Sequence, residues 1–313
     1  EKGFLEYIEN PAKVSFPWSM IDKITPRPDA SVKKMLEDAG FTDTESIVTS
    51  KNTYVAPFVN AEEAQYLVIE NAFPNGRPAL ENAGVMFTSR ETVEKVERMK
   101  VCTCLNPLHT ALAVYGCLLG YTKISDEMKD ADLVKLVEII GYKEGLPVVT
   151  DPGILSPKKF IDEVLQIRVP NPFMPDTPQR IACDTSQKLS IRFGETIKEY
   201  MASSELDVKS LKFIPMVQAG WCRYLLGVDD ELNAFTVSPD PMYEELAGKL
   251  AGVKVGESCD VHAVLSPILS DAKIFGVNLY EAGLGEYVES IFAELIAGKG
   301  AVRETLKRHL AEA

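Results

Sequence analysis

The pattern of hydrophobic and polar positions changes near residue 89. Before this point, short runs rich in β-branched and aromatic residues alternate with Pro, Gly, Asn and Asp, which is typical of short strands between turns. After it, apolar residues recur every three or four positions, the spacing of an amphipathic helix. We predict strands at residues 14–16, 53–56 and 65–69. We predict helices from Ser89 or Thr88 as N-cap and at residues 126–140, 157–167, 178–182, 191–203, 211–226, 241–251, 279–297 and 301–313.

Three polar residues lie in one short and otherwise mostly apolar stretch of the helical part, Lys100, Asn106 and His109. Asn106 and His109 are three residues apart, so on a helix they share a face and can both point at one ligand oxygen. A nearby lysine can move the proton of that oxygen, because burial brings the pKa of lysines in general closer to neutrality. In the alternative interpretation, Asn106 caps a helix that restarts at Pro107, and the polar groups make only local hydrogen bonds.

The spacing of these residues does not suit a straight helix. Nine steps of about 100° would place Lys100 and His109 on opposite sides of the helix axis. Pro107 has no N–H and therefore leaves the carbonyl group of Thr103 without its helical partner. We therefore predict a one-residue π-bulge or a kink between Lys100 and Asn106, which would restore a shared face.

Composition and charge narrow the class of protein. The 313 residues are 46% hydrophobic and 25% charged, ordinary values for a globular protein. The net charge of −13 argues against nucleic-acid and anionic-membrane partners, which bind clustered Lys and Arg. Charges, Gly or Pro interrupt every apolar run before the ~20 residues of a membrane span, and no cleavable signal opens the chain, so we expect a cytoplasmic location.

Cysteine and histidine usage favours metal-independent chemistry. The six cysteines have no disulfide-framework spacing, and Cys102 and Cys104, two residues apart, would point in different directions on a helix. No Cys or His pair follows them at zinc-site spacing, and the chain has only three histidines. We expect reduced thiols and no metal site.

The segment around Lys100 resembles the catalytic helix of the long-chain mannitol dehydrogenase family, whose pattern is Met-Lys, a few apolar residues, Leu-Asn, two residues and His. The family has four residues between Lys and Asn where this chain has five, so that an ungapped alignment puts Val101 in place of the lysine. Further matches occur in the family's order at residues 15–17, 19–26, 73–78, 84–85, 87–88, 171–172 and 180–182, and at Asp184, Ser186 and Lys188.

The resemblance implies a mainly α fold, a multi-helical C-terminal substrate domain like that of 6-phosphogluconate dehydrogenase. Residues 1–88 would be the closing strands of a dinucleotide-binding domain, and residues 89–313 the helical substrate and catalytic domain. The chain has no strand–Gly-x-Gly-x-x-Gly–helix unit and begins at Glu1 without a methionine. We therefore expect the C-terminal part of a longer enzyme, whose N-terminal Rossmann domain is its partner in the same protein, and little activity from this fragment alone.

The resemblance also implies reversible hydride transfer between NAD, with NADP as the alternative, and a secondary alcohol on a sugar acid or polyol. Lys100 would be the general base, and Asn106 and His109 would donate hydrogen bonds to the developing alkoxide. The alternative for Lys100 is an exposed helix lysine.

Two further pairs of residues match the family's binding positions. Arg180 and Lys188 would bind the distal hydroxyls or carboxylate of the substrate, unless they are surface side chains or pair with Asp184. Ile21 and Asp22 would contact the nicotinamide end of the cofactor, although Asp22 could equally pair with Lys23 or Arg27.

The resemblance favours a hexonate as substrate, with interconversion of D-fructuronate and D-mannonate first. Oxidation of mannitol and reduction of tagaturonate are the near alternatives. A hypothesis of another class is a non-catalytic helical binding module, with a polar or acidic groove and no such cluster. The enzyme hypothesis predicts that Lys100, Asn106, His109, Arg180 and Lys188 converge in one open cleft that faces residues 15–26.

Overall fold

The computed structural model describes residues 2–26 and 28–313. Two residues used in the sequence analysis lie outside the described residues. They are Glu1, at which the sequence begins, and Arg27, one alternative partner of Asp22. The chain forms two compact units. The first contains the described residues up to Met99 together with Thr150–Ser156, and the second contains Lys100–Val149 and Pro157–Ala313.

The first unit is built on a small mixed sheet. Strands β1 (Ser19–Asp22), β4 (Tyr66–Glu70) and β5 (Met86–Thr88) lie in the order β1-β4-β5. The β1–β4 pair is antiparallel with Ser19 opposite Ile69, and the β4–β5 pair is parallel with Val68 opposite Met86. The two-residue strands β2 (Ile47–Val48) and β3 (Tyr54–Val55) form a separate antiparallel pair. The helices are α1 (Lys2–Ile8), α2 (Ala30–Asp38) and α3 (Arg90–Met99).

Helix α3 covers the three-stranded sheet with an apolar face. Val93, Val96 and Met99 are fully buried, and the helix packs against β1 and β4. Its beginning agrees with the sequence, because Ser89 Oγ accepts the N–H of Thr92 at 3.3 Å.

The predictions for the first unit were partly wrong. Two predicted strands are confirmed as β3 and β4, but residues 14–16 form no strand. Pro17 directly follows that run and has no N–H to donate, so pairing begins only at Ser19. Helix α2, which was not predicted, begins after Asp29, whose side chain accepts the N–H of Ser31 at 2.8 Å.

The second unit is helical around a central α4 (Asn106–Leu118). Eleven of the thirteen residues of α4 are buried, and it packs against α6, α8 and α10. All twelve residues of α10 are buried, and α10 also packs against α14. The other helices are α5 (Ile124–Glu127), α6 (Ala131–Glu138), α7 (Pro157–Glu163), α8 (Pro178–Ile181), α9 (Glu195–Ala202), α10 (Phe213–Tyr224), α11 (Tyr243–Leu250), α12 (Val261–Leu269), α13 (Ala272–Phe275), α14 (Gly285–Leu295) and α15 (Ala301–Ala311).

In the part of the chain that the structure describes, four π-helical segments interrupt these helices, at Lys100–Cys104, Ile139–Gly145, Val164–Arg168 and Ser190–Gly194. The first confirms the predicted irregularity before Asn106. It packs against the segment Ser190–Gly194. Such segments insert one residue into a helix and are frequent at functional sites.

Most predicted helices of the second unit are present, and the differences have local causes. Residues 279–283 form turns instead of the predicted first part of α14. Gly283 has a left-handed φ of +75°, which breaks the helical path, and α14 begins only at Gly285. Helices α12 and α13 were not predicted, although Asp260 and Asp271 cap them through their side chains.

One helical stretch, Arg90–Leu118, is long and apolar enough to cross a membrane by length and composition alone. Of its most apolar window, 83% is buried inside the protein, which is the situation of a core helix.

Candidate active site

A change in the backbone hydrogen-bonding pattern marks the start of α4. The N–H of Leu105 donates to the carbonyl oxygen of Lys100, five residues earlier, at 3.1 Å. Leu105 has φ −130° and ψ −61°, so the helix begins anew at Asn106, with Pro107 in its first turn. Leu105 is therefore the N-cap residue, and the alternative prediction that Asn106 caps the helix was wrong. The Asn106 side chain is not used for capping.

A pocket of about 150 Å³ lies at this end of α4. It contains four of the five residues predicted to converge. The six lining residues are Asn106, His109, Arg180, Ile181, Lys188 and Arg192. Lys100 is not among them. It is half-buried and opens the π-helical segment that precedes α4.

The two hydrogen-bonding side chains of α4 are available to a ligand. Within residues 2–26 and 28–313, neither the Asn106 amide nor the His109 imidazole has a hydrogen-bond partner. Burial lowers the pKa of His109 to about 4, and the guanidinium groups of Arg192, Arg168 and Arg180 act in the same direction. The opposing effect of the Asp176 carboxylate is smaller than that of burial. His109 is thus neutral at pH 7, with one ring nitrogen as donor and the other as acceptor.

Arg180 is held at the pocket by an acidic neighbour. Its Nε donates to Asp176 Oδ1 at 2.6 Å, and its Nη2 donates to Asp176 Oδ2. These hydrogen bonds raise the pKa of Arg180. The Arg180 side chain is 69% exposed and salt-bridged, as the alternative prediction had it, but its partner is Asp176 and not Asp184. Asp184 instead takes a left-handed φ of +51° before the turn that carries Lys188.

Lys188 is held by neutral acceptors. Its Nζ donates to the carbonyl oxygen of Cys183 and, at 3.4 Å, to that of Ile181. Burial lowers the pKa of Lys188, the nearby Arg192 and Arg180 lower it further, and Asp184 and Cys183 oppose this effect. The pocket therefore combines three cationic side chains with an amide and a neutral imidazole, and none of its lining residues is a carboxylate.

Arg192 was missed at the sequence level. It follows Lys188 by four residues, and its N–H donates to the carbonyl of Lys188 at 3.0 Å, so both side chains lie on one helical face. The four-residue spacing from Lys188 is the sequence signal that could have identified Arg192. Arg192 Nη1 donates to Thr110 Oγ1 at 2.6 Å, and Thr110 Oγ1 donates to the carbonyl of Asn106 at 2.9 Å. Burial lowers the pKa of Arg192 to about 10, which still leaves it charged at pH 7.

The predicted cofactor residues lie in β1 of the first unit. Ile21 is 68% exposed, and Asp22 is buried on the opposite face of the strand. Lys23, one alternative partner of Asp22, donates through Nζ to the carbonyl of Glu62 at 2.6 Å. The role of Ile21 and Asp22 at the nicotinamide stays a prediction. The described residues include no group of three or more His, Cys, Asp or Glu placed to hold a metal ion.

Comparison with known proteins shows the family. A model of the mannitol dehydrogenase C-terminal domain matches residues 92–291. The chain is 60% identical to the D-mannonate oxidoreductase of Thermotoga maritima, over 98% of this chain and 57% of that protein. It is 30% identical to a mannitol dehydrogenase of Saccharomyces cerevisiae, over 89% of this chain and 52% of that one.

A solved structure agrees with this result. The ternary complex of Pseudomonas fluorescens mannitol 2-dehydrogenase with NAD and D-mannitol matches 100% of this chain and 57% of its own, with a TM-score of 0.74 and 26% identity. The chain belongs to the mannitol dehydrogenase family, and the predicted mainly helical fold is confirmed. It spans slightly more than half the length of these relatives.

Proposed function

We propose that the protein containing this chain interconverts a secondary alcohol and a ketone on a hexonate with NAD, and that its substrates are D-mannonate and D-fructuronate. The observation that carries the proposal is the pocket at the start of α4. There, a free amide and a free neutral imidazole lie beside three cationic side chains.

The charge of this pocket favours an anionic substrate. The chain as a whole carries a net charge of −13, yet Arg180, Lys188 and Arg192 line this one pocket without a lining carboxylate. A local positive potential raises the concentration of anions and orients them. The 60% identity to a D-mannonate oxidoreductase supports a sugar acid over an uncharged polyol. A non-catalytic module would instead have a polar or acidic groove.

Asn106 and His109 have the chemistry needed at the reacting oxygen. Both can donate a hydrogen bond to a carbonyl oxygen, and such bonds strengthen as negative charge develops there in the transition state. A neutral imidazole keeps this donor without adding a second charge next to Arg192. Since both side chains come from one turn of α4, their spacing is fixed by the helix.

Lys100 is the proposed general base. In the π-helical segment one inserted residue leaves the rotation of the flanking turns nearly unchanged, so nine residues turn the chain like eight. By this count Lys100 and His109 lie about 80° apart around a continuous helix axis, against about 180° in a straight helix, before the change of direction at Leu105 is included. The lysine would take the hydroxyl proton during oxidation and return it during reduction.

The cofactor would be held outside the helical unit. NAD would supply the hydride acceptor for the oxidation when bound, and a Rossmann domain of the same protein would hold its dinucleotide. In this chain, Ile21 offers an exposed apolar side chain that suits contact with the nicotinamide ring. NADP is the alternative cofactor.

The test is steady-state oxidation of D-mannonate, D-altronate and D-mannitol with NAD by the chain joined to its cofactor domain. The proposal predicts turnover of D-mannonate and little turnover of the other two. Turnover of D-mannitol alone would overturn the substrate and keep the chemistry. Absence of NAD-linked oxidation of all three would overturn the proposed function.

A further inference from the structure

We propose that Arg192 binds the carboxylate of the substrate and thereby selects a hexonate over a polyol of the same length. This inference rests on the proposed function, because it assigns a residue to the recognition of its substrate. It concerns a side chain that the family motif around Arg180 and Lys188 did not single out.

The hydrogen bonds around the pocket distinguish Arg192 from the other two cations. Arg180 donates hydrogen bonds from Nε and Nη2 to the two oxygens of the Asp176 carboxylate, and Lys188 donates to two backbone carbonyls. For Arg192, the part of the chain that the structure describes supplies one side-chain hydrogen bond, from Nη1 to Thr110 Oγ1. That acceptor is neutral. The Nε and Nη2 donors of Arg192 are left for a ligand, and this pair of N–H groups matches a carboxylate.

Burial makes a charged ligand favourable at this position. A guanidinium group withdrawn from water without a counter-ion raises the free energy of the empty pocket. A carboxylate that enters the pocket offsets this cost and forms charge-assisted hydrogen bonds, whereas a hydroxymethyl group supplies only neutral ones. The difference between the two ligands is then larger at Arg192 than at Arg180, whose charge already has a protein counter-ion, while two donors of the Lys188 ammonium group are used on backbone carbonyls.

The surroundings of Arg192 fix where this charge lies relative to the chemistry. Its contact residue Thr110 is bonded to the carbonyl of Asn106, in the turn that carries the proposed oxyanion donors. Its own segment Ser190–Gly194 packs closely on the C-terminal end of α13, at Phe275 and Gly276, because Gly194 has no Cβ to hold the two segments apart. A bound carboxylate would therefore have a defined distance from the reacting carbon.

The same contacts suggest a second possible role for Arg192, and the test must distinguish that role from carboxylate binding. If Arg192 acts only through Thr110 to position Asn106, its loss slows the reaction of every substrate. Carboxylate binding instead predicts a loss confined to charged substrates and expressed mainly in KM.

The experiment measures kcat and KM for D-mannonate and D-mannitol with the holoenzyme and its Arg192→Gln and Arg192→Lys variants. Arg308→Gln is the matched control, since Arg308 is half-exposed, pairs with Glu294 and lies outside the pocket. We expect Arg192→Gln to lower kcat/KM for D-mannonate about 10–100-fold, the effect of losing a charge-assisted bond, through a raised KM. For D-mannitol we expect a change of less than about threefold. If D-mannitol is not oxidised, its Ki as an inhibitor replaces kcat/KM.

The variants and substrates give distinct outcomes. Arg192→Lys should recover part of the loss for D-mannonate, because it keeps the charge and loses the fork. Equal losses for both substrates, or an unchanged KM for D-mannonate in Arg192→Gln, would overturn carboxylate binding by Arg192. A wild-type enzyme that oxidises D-mannitol and no hexonate would instead refute the proposed hexonate substrate, independently of the variants.

Discussion

The N–H of Leu105 donates to the carbonyl oxygen of Lys100, five residues earlier along the chain, at 3.1 Å. A regular α-helix bonds residues four apart, so this bond accommodates one additional residue. This chain has one more residue between its lysine and Asn106 than the family pattern. We therefore expect the π-helical segment Lys100–Cys104 to compensate for the longer spacing and to keep the proposed base near its helical phase relative to His109.

Removing the additional residue tests this compensation. Deletion of Val101 should convert the segment to a regular helix and restore the four-residue spacing between lysine and asparagine. We expect kcat/KM within about tenfold of the wild type, because the phase of Lys100 relative to His109 is nearly preserved. The measurement is steady-state hexonate oxidation. A loss as large as that in a variant without the lysine would argue against the compensation.

The pKa of His109 predicts an acid-sensitive stability. In the unfolded chain an imidazole takes up a proton near its ordinary pKa of 6.5, whereas His109 in the folded protein remains neutral down to about pH 4. The unfolded state thus binds more protons, and the free energy of unfolding falls as the pH decreases from 6.5 to 4. His109→Gln should reduce the difference between the free energies of unfolding at pH 7.5 and pH 5.

Denaturant unfolding at both pH values measures this effect. His262→Gln is the control, because the His262 side chain is largely exposed and lies outside the pocket. If both variants keep the same pH dependence as the wild type, burial does not shift the pKa of His109 as described.

A second buried group is predicted to stabilise the core that carries the pocket. The Glu144 carboxylate accepts the N–H groups of Lys212, Phe213 and Ile214 at 2.6, 2.8 and 2.8 Å, at the start of α10. Burial raises the pKa of Glu144, and these three hydrogen bonds oppose that shift. Glu144→Gln replaces one acceptor oxygen by an NH₂ group and should lower the free energy of unfolding by about 1–3 kcal/mol.

Chemical denaturation at pH 7 measures this loss. The control Glu257→Gln changes an exposed carboxylate that pairs with Lys254 and should alter the free energy of unfolding by less than about 0.5 kcal/mol. Equal effects of the two substitutions would show that the contacts of Glu144 contribute little.

Close packing of the segment that carries Arg192 gives another prediction. A Cβ on Gly194 would lie 2.2 Å from the carbonyl oxygen of Phe275, so Gly194→Ala must separate the two segments. We expect it to lower the free energy of unfolding by about 1–3 kcal/mol. Gly248→Ala in α11 is the matched control, because its Cβ would meet nothing within 4 Å and should stabilise the helix by up to about 1 kcal/mol. Thermal unfolding that ranks these variants in the opposite order would contradict this interpretation.

The sequence predicted the fold well where local features, such as apolar periodicity and proline positions, determine the structure. Apolar periodicity located most helices of the second unit, and Pro107 with the nine-residue spacing from Lys100 to His109 indicated the π-helical segment. It was less informative for the small sheet. Strand β1 forms because Ser19 pairs with Ile69, fifty residues later, and no local pattern specifies this contact.

The candidate site was likewise predicted only in part from the sequence. Asn106, His109, Arg180 and Lys188 were assigned to one cleft from family motifs, and all four line the pocket. Arg192 was missed because the family motif around Arg180 and Lys188 does not include it. Its position in the pocket follows from the fold around Lys188. The partner of Arg180 is Asp176, four residues earlier, so this pairing has a local spacing that the sequence already contains.

Removal of the substrate proton by Lys100, in spite of the additional residue, is tested by comparing three forms of the enzyme. The kcat for D-mannonate oxidation is measured across pH for the holoenzyme and its Lys100→Ala and Val101→Ala variants. The account predicts a loss of about 10²–10⁴-fold with Lys100→Ala, the usual contribution of a general base, and a nearly unchanged Val101→Ala enzyme. A Lys100→Ala enzyme within tenfold of the wild type at every pH would contradict it.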